Sequence, residues 1–468
     1  MTEKKKFDIA VIGAGPGGYT SAIRAAQLGK SVALIEKEFL GGTCLNVGCI
    51  PSKTLLSHAA TLHQIKRAEE FGITTGPISF QYNKWKTRKD EVVTKIRSGL
   101  EGLIKSNQIT IFQGEASFSS PRELKIKGKD NLFIEAENVI IATGSIPLDI
   151  KAFPCDGKRI LNSTSLLNLT EVPKTLCIVG GGYIGCEFAS LFVELGTEVT
   201  IIEALPTILA PQGSQISQFM TKTFTQKGIK IHTNITVKGI ENKGDFIEVT
   251  LSDNTPVKFD FALVSVGRKV YTEGLMLDKA GLNTTERGNL AVNEKMETAV
   301  RGVYAIGDVT GVSMLAHVAA HQGIIAGSNA SGHEEIAHYN AIPAVIFTAP
   351  EIATVGMSLD EATKAGYNVT QGLFPFQALG KAIASLETEG FSQVLADSKT
   401  GQILGATIIG HEASNLIAEM ALAIQNELTL ESVIETIHAH PTVAESWHEA
   451  VLLAANRPIN FPPKAKKP

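Results

Sequence analysis

A chain of 468 residues is longer than one hydrophobic core organises, so two to four domains are expected. With 44% hydrophobic and 19% charged residues the composition is ordinary for a globular protein, and a net charge of −4 gives no electrostatic case for nucleic acid. No apolar run reaches the 18 residues that would suggest a membrane span, and the first residues show no secretory or transit pattern.

The chain opens on "FDIAVIGAGPGGYTSAIRAAQLGKSVALIEK". Phe7 to Ile12 is short, apolar and unalternating, as in a strand buried on both faces. Gly13, Gly15 and Gly18 follow, then a helical pattern over about 17–28, Gly29 as a stop, and a second strand over 31–35 that closes on Glu36. Each glycine has a task in a dinucleotide turn: a tight bend, room for a pyrophosphate, and close contact of helix with strand. Glu36 is placed to accept from a ribose hydroxyl.

Next comes "GGTCLNVGCIPSK", which sets Cys44 and Cys49 five positions apart in a chain of 5 cysteines. Cys155, Cys177 and Cys186 are scattered, so no structural disulfide framework is present and a reducing cytoplasmic setting is expected. The pair reads in three ways: two unrelated buried thiols, half of a metal site, or a disulfide made and broken in a reaction. A closed zinc site needs four ligands, and no Cys/His pair of finger spacing accompanies this one. In a regular helix, Cα atoms at i and i+5 lie roughly 8.6 Å apart, beyond the ~7 Å a disulfide tolerates. If the two cysteines bond, the backbone between them is not regular helix; Gly48 permits a break and Pro51 marks where ordinary helix can begin.

Residues 112–133 alternate as short strands, with turns at Ser119-Ser120-Pro121 and Lys129-Asp130, and read as an antiparallel appendage. "NVIIATGSIP" is a buried strand ending in Thr143, Gly144 and Ser145. The dinucleotide pattern then recurs in "TLCIVGGGYIGCEFASLFVELGTEVTIIEA": Gly180, Gly182 and Gly185 follow a strand, and Glu203 closes the next one. Both units keep 18 positions between third glycine and acid (Gly18 to Glu36, Gly185 to Glu203). Two such units suggest two bound nucleotides. A carboxylate at Glu203 would repel a 2′-phosphate, and "ALPTIL" after it has no basic residue, so NAD is favoured over NADP there. "GVYAIGDVTG" is a further strand with Asp308 at its end, where ligands of open α/β sheets sit.

Towards the end, "IHAHPTVAESWHE" offers His438, His440 and Glu445. Pro441 biases His440 away from helix, and Glu445 could hold its tautomer. A lone histidine is more often structural, and His438 and His448 are read so. The tail "NRPINFPPKAKKP" is expected to be exposed at its tip.

Taken in order, "GAGPGG", "GGTCLNVGCIPSK", "ATGS", "GGGYIGCE", "YAIGDV" and "HAHPTVAE" resemble the pyridine nucleotide-disulfide oxidoreductases along nearly the whole chain, and most specifically their dihydrolipoyl-oxidising branch. The resemblance implies an α/β fold with two Rossmann-like nucleotide-binding domains and a C-terminal α+β dimerisation domain. The expected divisions are 1–149 and 271–339 for FAD, 150–270 for NAD, and 340–468 for dimerisation. It implies FAD contacts at Glu36, Lys53, Ala116 in "GEASF", Thr143 to Ser145, Asp308, and Met314, Leu315, Ala316 and His317. NAD contacts would fall from Gly180 to Glu187 and at Glu203, Val237 and Gly267.

By the same resemblance Cys44 and Cys49 form a redox-active disulfide, with Cys44 exchanging with substrate and Cys49 facing the flavin. Lys53 would pair with Glu187, and His440, oriented by Glu445, would be the general base, reaching Cys44 of a second copy in a homodimer. The implied reaction is oxidation of dihydrolipoyl groups by NAD, with the lipoyl-bearing subunits of 2-oxoacid dehydrogenase complexes as partners, and with no metal, nucleic acid or membrane. Alternatives are a related flavin reductase for another disulfide, or a non-catalytic flavin-binding scaffold. Two departures from the family pattern are Ala444, where serine is frequent, and "VGRKV", which lacks a usual proline and suggests a loop difference.

Overall fold

The structure, a computed structural model, describes residues 4–463; the last five residues of the basic tail lie outside them. The chain is mixed α/β and divides into two compact units, Met1–His338 and Tyr339–Pro468.

The first unit holds helices α1 (Pro16–Gln27), α2 (Gly42–Val47), α3 (Cys49–Lys66), α4 (Tyr82–Ser106), α5 (Ser163–Leu166), α6 (Tyr183–Glu194), α7 (Ser214–Gln226) and α8 (Ala316–Ala330). Its six-stranded sheet is built on Lys4–Ile12, which pairs in parallel with Val32–Glu36 on one side and Leu132–Ile141 on the other. Val303–Ala305 adds to Leu132–Ile141 in parallel, and Thr110–Ser120 adds to Val32–Glu36. Ile9, Ala10 and Val11 are fully buried, which explains the unbroken apolar run. Helix α1 packs closely on α8: a Cβ on Gly323 would lie 2.5 Å from the Gly17 carbonyl oxygen.

The segment expected as an appendage is part of this main sheet. Thr110–Ser120 begins in parallel beside Val32–Glu36, continues antiparallel to Glu123–Gly128, and that strand returns to Leu132–Ile141. Its inward residues Phe112, Ala116, Phe118, Leu124 and Ile126 share one core with Ala10, Ile35 and Ile141. Alternation shows that such strands have a buried face but does not say which sheet edge they join.

A second, five-stranded sheet is entirely parallel, in the order Lys230–His232, Glu198–Ile202, Thr175–Val179, Phe261–Val264, Ile160–Leu161. Beside it lies a three-stranded antiparallel meander, Val237–Asn242, Ile247–Leu251 and Pro256–Phe259. Arg268–Val270, where a loop difference was expected, is a short strand paired antiparallel with Ser145–Pro147.

The second unit is a five-stranded antiparallel sheet, Ala344–Ile346, Glu351–Gly356, Ile403–Gly410, Phe391–Asp397 and Val369–Pro375, packed by helices Ala413–Gln425 and Glu445–Ala454. Trp447 is fully buried, and its indole N–H donates to the Leu416 carbonyl at 3.0 Å. Among the described residues no helix is long and apolar enough to cross a membrane.

Candidate active site

The first glycine turn leads from its strand into α1. Gly13 has φ +97°, and a Cβ there would lie 2.4 Å from the Ala142 carbonyl oxygen, so only glycine fits. The Glu36 carboxylate accepts from the Ala14 N–H at 2.8 Å and from the Glu38 N–H at 2.9 Å. Each carboxylate oxygen keeps a second lone pair for a ligand hydroxyl. Beyond Glu36 a cavity of about 420 Å3 lies between Lys37 and Glu38 on one side and Gly114, Glu115 and Gly128 on the other. Ala116 is buried on the strand Thr110–Ser120, which also carries Gly114 and Glu115.

The cysteine segment is pressed onto this turn: a Cβ on Gly42 would lie 2.6 Å from the Gly15 Cα. Cys44 sits on α2 and Cys49 opens α3, with Gly48 between them at φ −140°, ψ −111°. A Cβ on Gly48 would lie 2.9 Å from the Thr43 carbonyl oxygen and 3.3 Å from the Cys44 Cα, so the break needs a residue without a side chain. The Asn46 side-chain amide donates to the Leu40 and Gly42 carbonyls, and Arg97 of α4 donates to the Asn46 Oδ1 at 3.3 Å. These bonds tie α2 to the segment that leads into it and to α4.

Both thiols are free and partly buried, and they touch: the Cys44 S–H donates to the Cys49 sulfur. That bond lowers the Cys49 thiol to about 7; burial opposes it, and the Lys53 ammonium adds to it. The first amides of α3, uncapped by any side chain, present the positive end of the helix dipole at Cys49. Cys44 moves the other way, raised by its bond to Cys49, by burial and by the neighbouring negative sulfur. The two thiols are thus shifted in opposite directions, Cys49 downward and Cys44 upward. Lys53, one turn beyond Cys49, donates to both oxygens of the buried Glu187 on α6, at 2.9 and 2.7 Å.

Thr143, Gly144 and Ser145 follow the strand Leu132–Ile141. The Thr143 hydroxyl donates to the Tyr271 carbonyl at 2.6 Å, and the Ser145 hydroxyl bonds the Asp308 carboxylate. Two residues absent from the sequence reading complete this cluster. Arg268 donates to the Ser145 hydroxyl and to its carbonyl, both at 2.7 Å. Gln322, fully buried on α8, accepts from the Gly307 N–H at 2.7 Å and so fixes the turn that carries Asp308. Gly267 pointed to the first of these; nothing local marks the second. Met314 to His317 form the N-terminal entry of α8, with Leu315 as its cap position.

In the second turn Gly182 caps α6, and a Cβ there would meet nothing within 4 Å. Glu203 accepts from the Gly181 N–H at 2.6 Å and the Leu205 N–H at 2.8 Å, the same arrangement as at Glu36. Val237 opens the meander after the short strand Lys230–His232, and Gly267 has φ +131° with open space about it. The residues present suit two dinucleotides: each turn offers open backbone at a helix N-terminus and an acid already oriented by two amides. Tyr183, first residue of α6, lies within the range expected for NAD contacts but was not singled out there; it is half-exposed and close enough to Cys49, Glu187, Arg268 and Asp308 to feel their charges.

His440 and Glu445 lie in the second unit. His440 Nδ1 pairs with Glu445 Oε1 at 2.8 Å, and Glu445 Oε2 accepts from the Thr442 N–H at 2.8 Å. Burial pushes the Glu445 carboxyl up, but the Thr442 amide and His440 outweigh it and hold it below its ordinary value. The imidazole is exposed, so its far nitrogen is available. His438 instead bonds Glu419 at 2.8 Å and is nearly buried, in keeping with a structural role.

The profile described as "Pyridine nucleotide-disulphide oxidoreductase" matches residues 7–323, and that family's dimerisation domain matches 342–451. This chain belongs to the pyridine nucleotide-disulphide oxidoreductases. Among curated members, the dihydrolipoyl dehydrogenase of Chlamydia pneumoniae is 50% identical over 461 residues, covering 98% of this chain and 100% of that protein. The dihydrolipoyl dehydrogenase of Geobacillus stearothermophilus is 42% identical, covering 96% and 97%. Among solved structures, LpdA from Mycobacterium tuberculosis has a TM-score of 0.90 at 27% identity, covering 96% of this chain and 99% of that one. The HOCl-induced flavoprotein disulfide reductase RclA of Escherichia coli has a TM-score of 0.87 at 28% identity, covering 95% and 99%.

Proposed function

We propose that this enzyme of the family oxidises protein-bound dihydrolipoyl groups to lipoyl with NAD as acceptor, and that it serves 2-oxoacid dehydrogenase complexes as a homodimer in a reducing cytoplasm. The observation that carries the reading is the cysteine pair: Cys44 and Cys49 meet across the break at Gly48, one helical turn from Lys53, on a segment pressed onto a dinucleotide turn. The names of relatives at 42–50% identity supply the substrate class.

FAD would be held by the first turn, Glu36, Lys53, the Ser145–Asp308–Arg268 cluster and the entry of α8; NAD would be held by the second turn and Glu203. When bound, these cofactors supply two-electron acceptance from the thiol pair and hydride transfer to nicotinamide. The remaining steps belong to the protein. Starting from the Cys44–Cys49 disulfide, a substrate thiolate attacks the Cys44 sulfur; the bond between the cysteines breaks, and Cys49 leaves as the thiolate stabilised by Lys53 and the start of α3. The second substrate thiol loses its proton to His440, which Glu445 orients, and attacks the substrate sulfur now bonded to Cys44. The substrate's cyclic disulfide closes, Cys44 departs, and it takes the proton back from His440. The pair is left as Cys44 thiol on Cys49 thiolate. In the family arrangement His440 reaches Cys44 from a second copy, so the dimer is the active form.

NAD reduction by dihydrolipoamide tests the reading, with NADP and oxidised glutathione as comparison substrates. Dihydrolipoamide-dependent NADH formation that is lost in Cys44→Ser supports it. Turnover confined to another disulfide would favour the second reading, a reductase of different substrate, which the likeness to RclA keeps open.

A further inference from the structure

Helices α3 and α6 carry the two sides of the site: Cys49 and Lys53 on the first, the second glycine turn and Glu187 on the second. Two side-chain joints between them stand out among the described residues. One joint is Lys53 with Glu187. The other lies at their far ends, where Glu194, the last residue of α6, accepts from Lys66 Nζ at 2.8 Å and pairs with His63 Nδ1 at 3.0 Å. Lys66 Nζ also donates to the Glu194 carbonyl oxygen at 2.5 Å. Lys66 is itself the last residue of α3, so one ammonium serves the carbonyl ends of two helices, where the dipole favours a cation. Burial pushes the Glu194 carboxyl up, yet His63 and Lys66 outweigh it and hold it below its ordinary value.

The spacing gives the second joint a purpose. Glu187 and Glu194 are roughly 10 Å apart along their helix, and Lys53 and His63 roughly 15 Å along theirs. A single joint between two crossing helices is a pivot, whereas two joints at that separation fix their rotation. Lys53 bonds Glu187 between these helices, and its ammonium lies close enough to Cys49 to lower that thiol.

We infer that Glu194, clasped by Lys66 and His63, is a positioning residue that sets the register in which Glu187 holds Lys53 beside Cys49. This rests on the reading of Cys49 as the thiolate of the redox pair. The charged and titratable groups about Cys49 are Cys44 from α2, Lys53 on its own helix, and Glu187 and Tyr183 from α6. Lys53 lowers the Cys49 thiol by more than Glu187 raises it, so releasing both moves Cys49 upward.

The test uses the full chain with FAD bound, comparing wild type with Glu194→Gln, the milder Lys66→Met, and the charge swap Lys66→Glu with Glu194→Lys. In the reduced protein, the pH midpoint of Cys49 alkylation by iodoacetamide, read by peptide mass, should rise by about half a unit in Glu194→Gln, less in Lys66→Met, and return in the swap. NAD reduction should lose about fivefold in kcat with the dithiol KM unchanged. In a Glu187→Gln background, Glu194→Gln should add no more than about twofold, because the path it acts through is already cut. A lowered melting temperature with an unmoved alkylation midpoint, or losses that simply multiply in the double variant, would overturn the inference. Absence of turnover in wild type would count against the proposed function, while the alkylation midpoints would still decide the role of Glu194.

Discussion

Replacing Lys53 by methionine removes the cation that lies 2.7 and 2.9 Å from the Glu187 oxygens, on a carboxylate whose side chain is only 8% exposed. Breaking one side of a fully buried ion pair costs about 3–5 kcal/mol, and a surface pair is worth about 0–1 kcal/mol. Lys53 is 30% exposed, so about 2 kcal/mol is expected. Unfolding entropy of about 2.1 cal/mol/K per residue over the unit Met1–His338 makes that about 3 °C in Tm. The double variant Lys53→Met with Glu187→Gln removes both charges and should recover most of the loss, since a neutral pair has no buried charge to strand. Reactivity should behave differently. Both variants lack the ammonium beside Cys49, so the pH midpoint of Cys49 alkylation should move from about 7 towards the ordinary 9.0 in each. Differential scanning calorimetry and alkylation profiles measure the two effects separately. The reasoning fails if the single variant is as stable as the double, or if the midpoint stays near 7 once Lys53 is gone.

Three further outcomes are expected. Gly48→Ala places a methyl 2.9 Å from the Thr43 carbonyl oxygen, and calorimetry should show about 1–3 kcal/mol of destabilisation together with slower thiol exchange. Glu445→Gln should lower kcat by about 100-fold, the lower end of what a positioned base contributes, with FAD content unchanged by its visible band. His438 is raised above its ordinary 6.5 by Glu419, so this pair contributes stability that is full below 6.5 and fades as pH rises through the raised value. Glu419→Gln should therefore cost more at pH 6 than at pH 9, read by denaturant midpoints; an equal loss at both would refute the assignment.

Both nucleotide turns were legible because local geometry dictates their residues: Gly13 and Gly18 stand where a side chain would strike backbone, and Glu36 and Glu203 close the strands that follow. The break between the cysteines was legible on a condition, since a disulfide at i, i+5 could not span a regular helix and Gly48 permits the break that the structure has there. What stayed hidden depends on contacts across the chain. Glu194 meets His63 and Lys66 over 131 and 128 positions, and Gln322 reaches Gly307 over 15, from within α8. Arg268 was not singled out within "VGRKV", where only a loop difference was expected, yet it sits in a strand and donates to Ser145, which bonds Asp308. The strands after residue 110 carried the correct alternation but no mark of the edge they join.

Anaerobic addition of NADH to the oxidised, FAD-loaded protein, followed by thiol counting and mapping, tests the redox pair most directly. Two new thiols per chain should appear, both within the peptide from Glu38 to Lys53 at Cys44 and Cys49. No new thiols, or new thiols at Cys155, Cys177 or Cys186, would contradict the account.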